Sequence, residues 1–203
     1  MKTSGNTILI TGGGSGIGRE LALRFNALGN TVIVAGRHMK TLEETIAGQQ
    51  NMHAMVVDVE DPTSIEAFAE RVITEHPNLN VLINNAGIMR REDVSRTRDL
   101  SDAEQTVVAN LLGPIRLTNA LTDHLVNQTD AAIVTVSSVQ TELTPGQSTR
   151  EGYMPLSDYM EEVMTLFSMQ PTPKEILVEK VKFLRWAERD GHFDQAVEML
   201  SKM

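Results

Sequence analysis

Cysteine is absent from this chain of 203 residues, which excludes disulfides and thiolate metal ligands and leaves the compartment open. Positive charge is scarce. Eighteen Lys and Arg stand against 27 Asp and Glu, and a net charge of −9 argues against any general affinity for nucleic acid or an anionic membrane. Phosphate binding, if any, must therefore be local. No early apolar run has the length of a signal-peptide core and none approaches a membrane span, so the expectation is a soluble, cytoplasmic protein. The five histidines are separated and show no ligand spacing, so no metal is expected. With 41% hydrophobic residues the chain can fill one sizeable core, and a single domain over 1–203 is expected.

What the chain does have is concentrated near its start. Residues 7–18 read T-I-L-I-T-G-G-G-S-G-I-G and run into Arg19-Glu20-Leu21-Ala22-Leu23-Arg24-Phe25. A β-branched apolar run breaks into glycines and re-emerges with helical spacing. Glycines permit a tight turn and close approach of backbone to a phosphate, and the free N–H groups of a helix start favour an anion. This is the logic of a dinucleotide site, although Ile17 departs from G-x-G-x-x-G. Arg19-Glu20 stands where a P-loop needs Lys followed by Ser or Thr. A glycine-rich strand-to-helix turn without a ligand is the competing reading.

The rest of the chain alternates. Strands are expected at 7–11, 31–35, 54–58, 81–84, near 134–138 and at 175–178, with helices at 17–28, 39–47, 62–75, 101–126, 156–169, 179–189 and 193–203. Thr31 to Ala35 is apolar throughout, as in a strand buried on both faces of a parallel sheet. Repeated βαβ units with right-handed crossovers give a Rossmann-like, doubly wound α/β fold of three αβα layers, with its ligand across the C-terminal strand ends. Ser101-Asp102-Ala103-Glu104 has the form of a capping box, and Pro114 predicts a kink in the helix that follows.

Thr11-Gly12 with Gly16 and Gly18, Asp58-Val59, Asn84-Asn85-Ala86-Gly87, Asn110 in a helical run and Ser137-Ser138 at a strand end occur in this order. In this the first 138 residues resemble the short-chain dehydrogenase/reductase family. The resemblance implies an NAD(P)-dependent oxidoreductase that moves a hydride between nicotinamide and a carbonyl or secondary alcohol. It implies cofactor contacts from Gly12, Ser15, Gly16, Ile17, Gly18, Asp58, Val59, Asn85, Ala86, Gly87 and Thr141, with Ser138 holding the substrate oxygen and Asn110 a proton-relay water. At the end of the second strand stands Gly36-Arg37-His38 with no carboxylate, and Arg37 suits a 2′-phosphate, so NADP is favoured over NAD. An Arg37 that merely ends its strand in solvent would leave that choice open. Family members commonly form homo-oligomers.

The pattern then breaks. The family's proton donor and its lysine lie in Y-x-x-x-K, but Tyr153 is followed four residues on by Ser157 and Tyr159 by Val163. Ser138 runs directly into Val139-Gln140-Thr141-Glu142-Leu143-Thr144-Pro145-Gly146, a stretch of the kind that follows the family's sixth strand. A helix and a strand, on the order of 30 to 50 residues with their loops, are thus missing between 138 and 139. Either the molecule holds residues that this sequence omits, or a real internal deletion has left a catalytically inactive dinucleotide-binding or regulatory module. Intact mass spectrometry separates the two: the first predicts a mass several kilodaltons above 22.4 kDa, and a mass equal to it establishes the deletion.

Overall fold

A computed structural model describes residues 1–90, 95–136, 154–179, 182, 186, 190–195 and 198. They belong to two compact units, Met1–Tyr153 and Met154–Met203. In the first, strands β1 (Thr7–Thr11), β2 (Thr31–Gly36), β3 (Met52–Val56), β4 (Leu79–Asn84) and β5 (Ala132–Thr135) form one parallel sheet in the order β3-β2-β1-β4-β5. Helices α1 (Gly16–Ala27), α2 (Met39–Ile46), α3 (Pro62–Glu75), α4 (Ser101–Val107) and α5 (Gly113–Leu125) supply the crossovers. The expected doubly wound αβα architecture is therefore present. The chain winds outward from β1 to β3 and then returns to the other side of β1, which opens a crevice between the C-terminal ends of β1 and β4.

Alternation along the strands divides the core. Leu9, Ile33, Ala35 and Leu82 face one way and pack with Ile65, Phe68 and Val72 of α3 and Leu117, Leu121 and Leu125 of α5. Ile8, Ile10, Val32 and Val34 face the other way, and with α1 residues Leu21 and Phe25 they are almost fully buried. The central strands are thus apolar on both sides, which is why they read as continuous runs rather than alternating ones. Asp61 caps α3 by accepting the Thr63 amide at 2.9 Å, and Pro62 occupies the first turn, where its missing N–H costs nothing.

Several local expectations are corrected. The long helix over 101–126 is three pieces, because α4 and α5 are joined by a π-helical turn, Val108–Leu112, just before Pro114. Proline has no N–H for the Asn110 carbonyl and its ring crowds it, so the backbone widens there. The capping box at Ser101 does not form: Ser101 lies inside α4, and its amide donates to Asp99 Oδ1 at 2.6 Å. The Asp99 carboxylate takes the amide that the Glu104 side chain would accept in a capping box, and the bond holds the Asp99 carboxyl below its ordinary range. Residues 175–178 are not a strand. A strand exists only where a neighbouring backbone takes its hydrogen bonds, and apolar β-propensity does not provide one. In the second unit α6 (Leu156–Ser168) buries Met160, Val163 and Phe167 on one face. Most of 179–189 and 193–203 lies outside the described residues.

His76 closes α3, with its ring centroid 4.6 Å from that of His53 on β3. Burial lowers its pKa from the ordinary 6.5 and the His53 charge adds to this, while Glu75 opposes them. The folded state therefore binds fewer protons at His76 than the unfolded chain. This contribution to stability is complete above about pH 6.5 and is lost as pH falls from there through the lower folded value. Urea unfolding between about pH 7 and pH 5 should show stability falling with pH, and His76→Gln should flatten that slope.

Candidate functional site

The C-terminal end of β1 is tied to that of β4 by one hydroxyl and one amide. Thr11, 2% exposed, accepts the backbone N–H groups of Asn85 and Ala86 on its Oγ1, each at 3.0 Å. Asn85 answers by donating its Nδ2 to the Thr11 carbonyl at 2.9 Å. Two parallel neighbours cannot bond to each other beyond the last ladder rung, so these side chains take over where the sheet stops. Asn84 is also nearly buried and donates to Thr118 Oγ1 of α5 at 3.1 Å, which ties the same strand end to the helix layer.

The turn after β1 closes against this knot. Gly12 has φ +68°, and a Cβ there would lie 2.9 Å from Ala86 Cα; a Cβ on Gly18 would lie 2.4 Å from the Gly12 carbonyl and 2.5 Å from Asn85 Nδ2. Both glycines are thus demanded by backbone proximity, before any ligand is considered. Ser15 stands at the N-cap of α1 but makes no cap hydrogen bond, and the first turn carries no acidic side chain. The helix start thus presents amide donors without a capping oxygen of its own, toward a cleft lined by Gly12, Gly14 and Ser15.

That cleft has a volume of about 180 Å³ and extends past Gly36, Arg37 and His38 to Val57, Val59 and Glu60, and past Ala86, Gly87 and Ile88 to Ala109. Ligand sites of drug size run to roughly 300–1,000 Å³, so its size suits one end of a dinucleotide. Of the residues the sequence singles out, Gly12, Ser15, Arg37, Val59, Ala86 and Gly87 line it. Gly16, Ile17, Gly18, Asp58 and Asn85 do not; they build the turns around it. Ile17 is buried in α1, and Asp58 uses Oδ1 to accept the Glu60 amide at 3.0 Å while its own amide donates to Ser64. Asn110 spends its side chain on Ile88, accepting that residue's N–H and donating to its carbonyl, both at 2.8 Å. Ser138 and Thr141 lie outside the described residues.

Sequence reading missed Thr11 as a structural hub, and missed Gly14, His38, Thr41 and Glu60 as cleft residues. Glu60 had a legible signal. It stands between an Asp that closes an Asx turn on it and an Asp that caps the next helix, an arrangement that fixes its backbone. Its Oε1 lies 2.9 Å from Arg37 Nη1. Among the described residues no group of three or more His, Asp or Glu side chains could hold a metal, and no helix is long and apolar enough to cross a membrane.

Comparison with known proteins gives this geometry a family. The short chain dehydrogenase model matches residues 6–149. The uncharacterized oxidoreductase DltE of Bacillus subtilis is 44% identical over 139 residues, covering 68% of this chain and 55% of that protein. Dehydrogenase/reductase SDR family member 7B of Mus musculus is 36% identical over 146 residues, covering 68% and 45%. Among solved structures, a short-chain dehydrogenase from Streptomyces avermitilis superposes with a TM-score of 0.62 at 30% identity, over 68% of this chain and 51% of that one. A metagenomic short-chain oxidoreductase in complex with NADP gives 0.61 at 26% identity, over 67% and 63%. The chain belongs to the short-chain dehydrogenase family, and it spans about half the length of the curated relatives it matches.

If the Thr11 hydroxyl holds the two strand ends together, Thr11→Val leaves two amides without an acceptor and should lower stability by about 1–3 kcal/mol in urea unfolding. Thr11→Ser, which keeps the hydroxyl, should stay near wild type. Equal losses in the two variants would assign the effect to packing instead.

Proposed function

We propose, from membership of the short-chain dehydrogenase family, that this protein is an oxidoreductase that binds a nicotinamide dinucleotide, NADP(H) in preference to NAD(H). The observation that carries the reading is the cleft at the β1–β4 crevice, with an uncapped helix start at one side and Arg37 at the other. A dinucleotide presents a pyrophosphate and a ribose to such a cleft. The α1 amides suit the first, and the Arg37 guanidinium suits a 2′-phosphate on the second. In a chain of net charge −9 these are the local features that make an anion welcome. A cytoplasmic setting and a small-molecule carbonyl or alcohol substrate belong to the same proposal.

Bound dinucleotide supplies or accepts the hydride. The chain must then orient the substrate oxygen and manage its proton. Ser138 is the residue we assign to the oxygen, and Asn110, already fixed to Ile88 at the edge of the cleft, to the relay water. The proton donor is not supplied by either tyrosine in the family's pattern. Burial pushes the Tyr159 hydroxyl up to about 12, away from the range useful to an acid and base near neutrality.

That deficit favours a second reading, a module that holds the dinucleotide without turning it over. It is tied to the apparent gap between 138 and 139, which we keep within a single dinucleotide-binding domain as part of the proposal.

Titration with NADPH and NADH, followed by nicotinamide absorbance with a panel of aldehydes and ketones, tests both readings. Binding with turnover supports the oxidoreductase; binding without turnover supports the module. No binding of either nucleotide would falsify both. Arg37→Met should weaken NADPH binding by about tenfold and leave NADH nearly unchanged.

A further inference from the structure

Arg37 does not stand free in the cleft. Its Nη1 donates to Glu60 Oε1 at 2.9 Å, and the two side chains are 47% and 24% exposed respectively. The carboxylate is the more buried partner and the better fixed one. Its backbone is held by the Asp58 Oδ1 bond to the Glu60 amide, at the entrance of a helix capped by Asp61. Both Arg37 and Glu60 line the cleft, along with Gly36, His38 and Gly14. An anion that approaches Arg37 therefore meets a carboxylate already bonded to the same guanidinium.

We propose that Glu60 is a specificity-determining residue: by pairing with Arg37 it reduces the advantage that a 2′-phosphate holds over a free 2′-hydroxyl. The inference rests on the dinucleotide reading above. A 2′-phosphate must share Arg37 with Glu60 or displace it, and in either case two negative groups are brought close at a partly desolvated site. A 2′-hydroxyl meets no such penalty, and an ionised carboxylate is an acceptor for it. Glu60 thus narrows the preference that Arg37 creates, and a cleft that would otherwise demand NADP(H) also admits NAD(H).

The test uses the full chain, with NADPH and NADH as ligands and 2′,5′-ADP and 5′-AMP as probes of the adenosine end alone. Glu60→Gln keeps the size of the side chain and removes its charge. Its backbone amide, not its side chain, makes the turn with Asp58, so the fold should be retained, and circular dichroism with thermal melting checks this. The expected result is a rise of about tenfold in the NADPH-to-NADH affinity ratio, carried mainly by tighter NADPH, with the same trend in the 2′,5′-ADP to 5′-AMP ratio. The effect should shrink as salt is raised, which a change of shape alone would not do.

An unchanged ratio in a folded Glu60→Gln protein, or weaker NADPH binding, overturns the inference while leaving dinucleotide binding intact. Failure of the wild-type chain to bind any of the four ligands removes the dinucleotide reading and this inference together. Should Glu60→Gln fail to fold, Glu60→Asp takes its place: it keeps the charge but shortens its reach to Arg37, and a ratio that does not rise overturns the inference.

Discussion

The hydrogen bonds that Thr11 and Asn85 exchange across the ends of β1 and β4 are the constraint on which the site depends. A parallel sheet that winds both ways from its centre parts at its switch point, and the parting makes a crevice only if the two strand ends stay at a fixed separation. Part-buried backbone donors beyond the last rung would otherwise be left without protein acceptors, at a cost comparable to a lost hydrogen bond each. One threonine hydroxyl satisfies two of them. The Asn85 amide then returns to β1, and Gly12 and Gly18 can be nothing larger because the knot occupies the space a Cβ would need. The glycine motif of this chain is therefore explained first by packing and only second by what the cleft holds.

From that fixed point the rest of the cleft is built by neighbours that are themselves tied down. Ile88 is held by Asn110 from the π-turn, which lies just before Pro114, a residue with no N–H for the Asn110 carbonyl. Close approach continues behind it: a Cβ on Gly113 would come within 2.7 Å of the Val59 carbonyl. On the other side, the Asp58 turn and the Asp61 cap bring Glu60 to Arg37. Charge within the cleft is thus set by the turn after β3 as much as by Arg37, the residue that follows β2.

Much of this was legible in the sequence because it rests on local rules. Continuous apolar runs mark strands buried on both faces, Pro62 suits the first turn of a helix, and glycines mark a turn that side chains cannot enter. What was not legible depends on which of several available partners a group takes. Asp58, a cofactor contact by the resemblance, also accepts the Glu60 amide on its carboxylate. Ser101 reads as a cap, but Asp99 takes its amide. Residues 175–178 read as a strand on composition, and composition does not say whether a neighbouring strand is present. The Arg37–Glu60 pair joins residues 23 positions apart and leaves no periodic trace.

The central claim is that the β1–β4 crevice receives a dinucleotide, and hydrogen exchange of the backbone amides with and without NADPH tests it most directly. Protection confined to the α1 start around Gly14 to Gly18, to Gly36 through His38, to Val57 through Glu60 and to Ala86 through Ile88 after β4 is the expected result. An exchange pattern unchanged in these segments, or protection that appears only elsewhere in the chain, would contradict it.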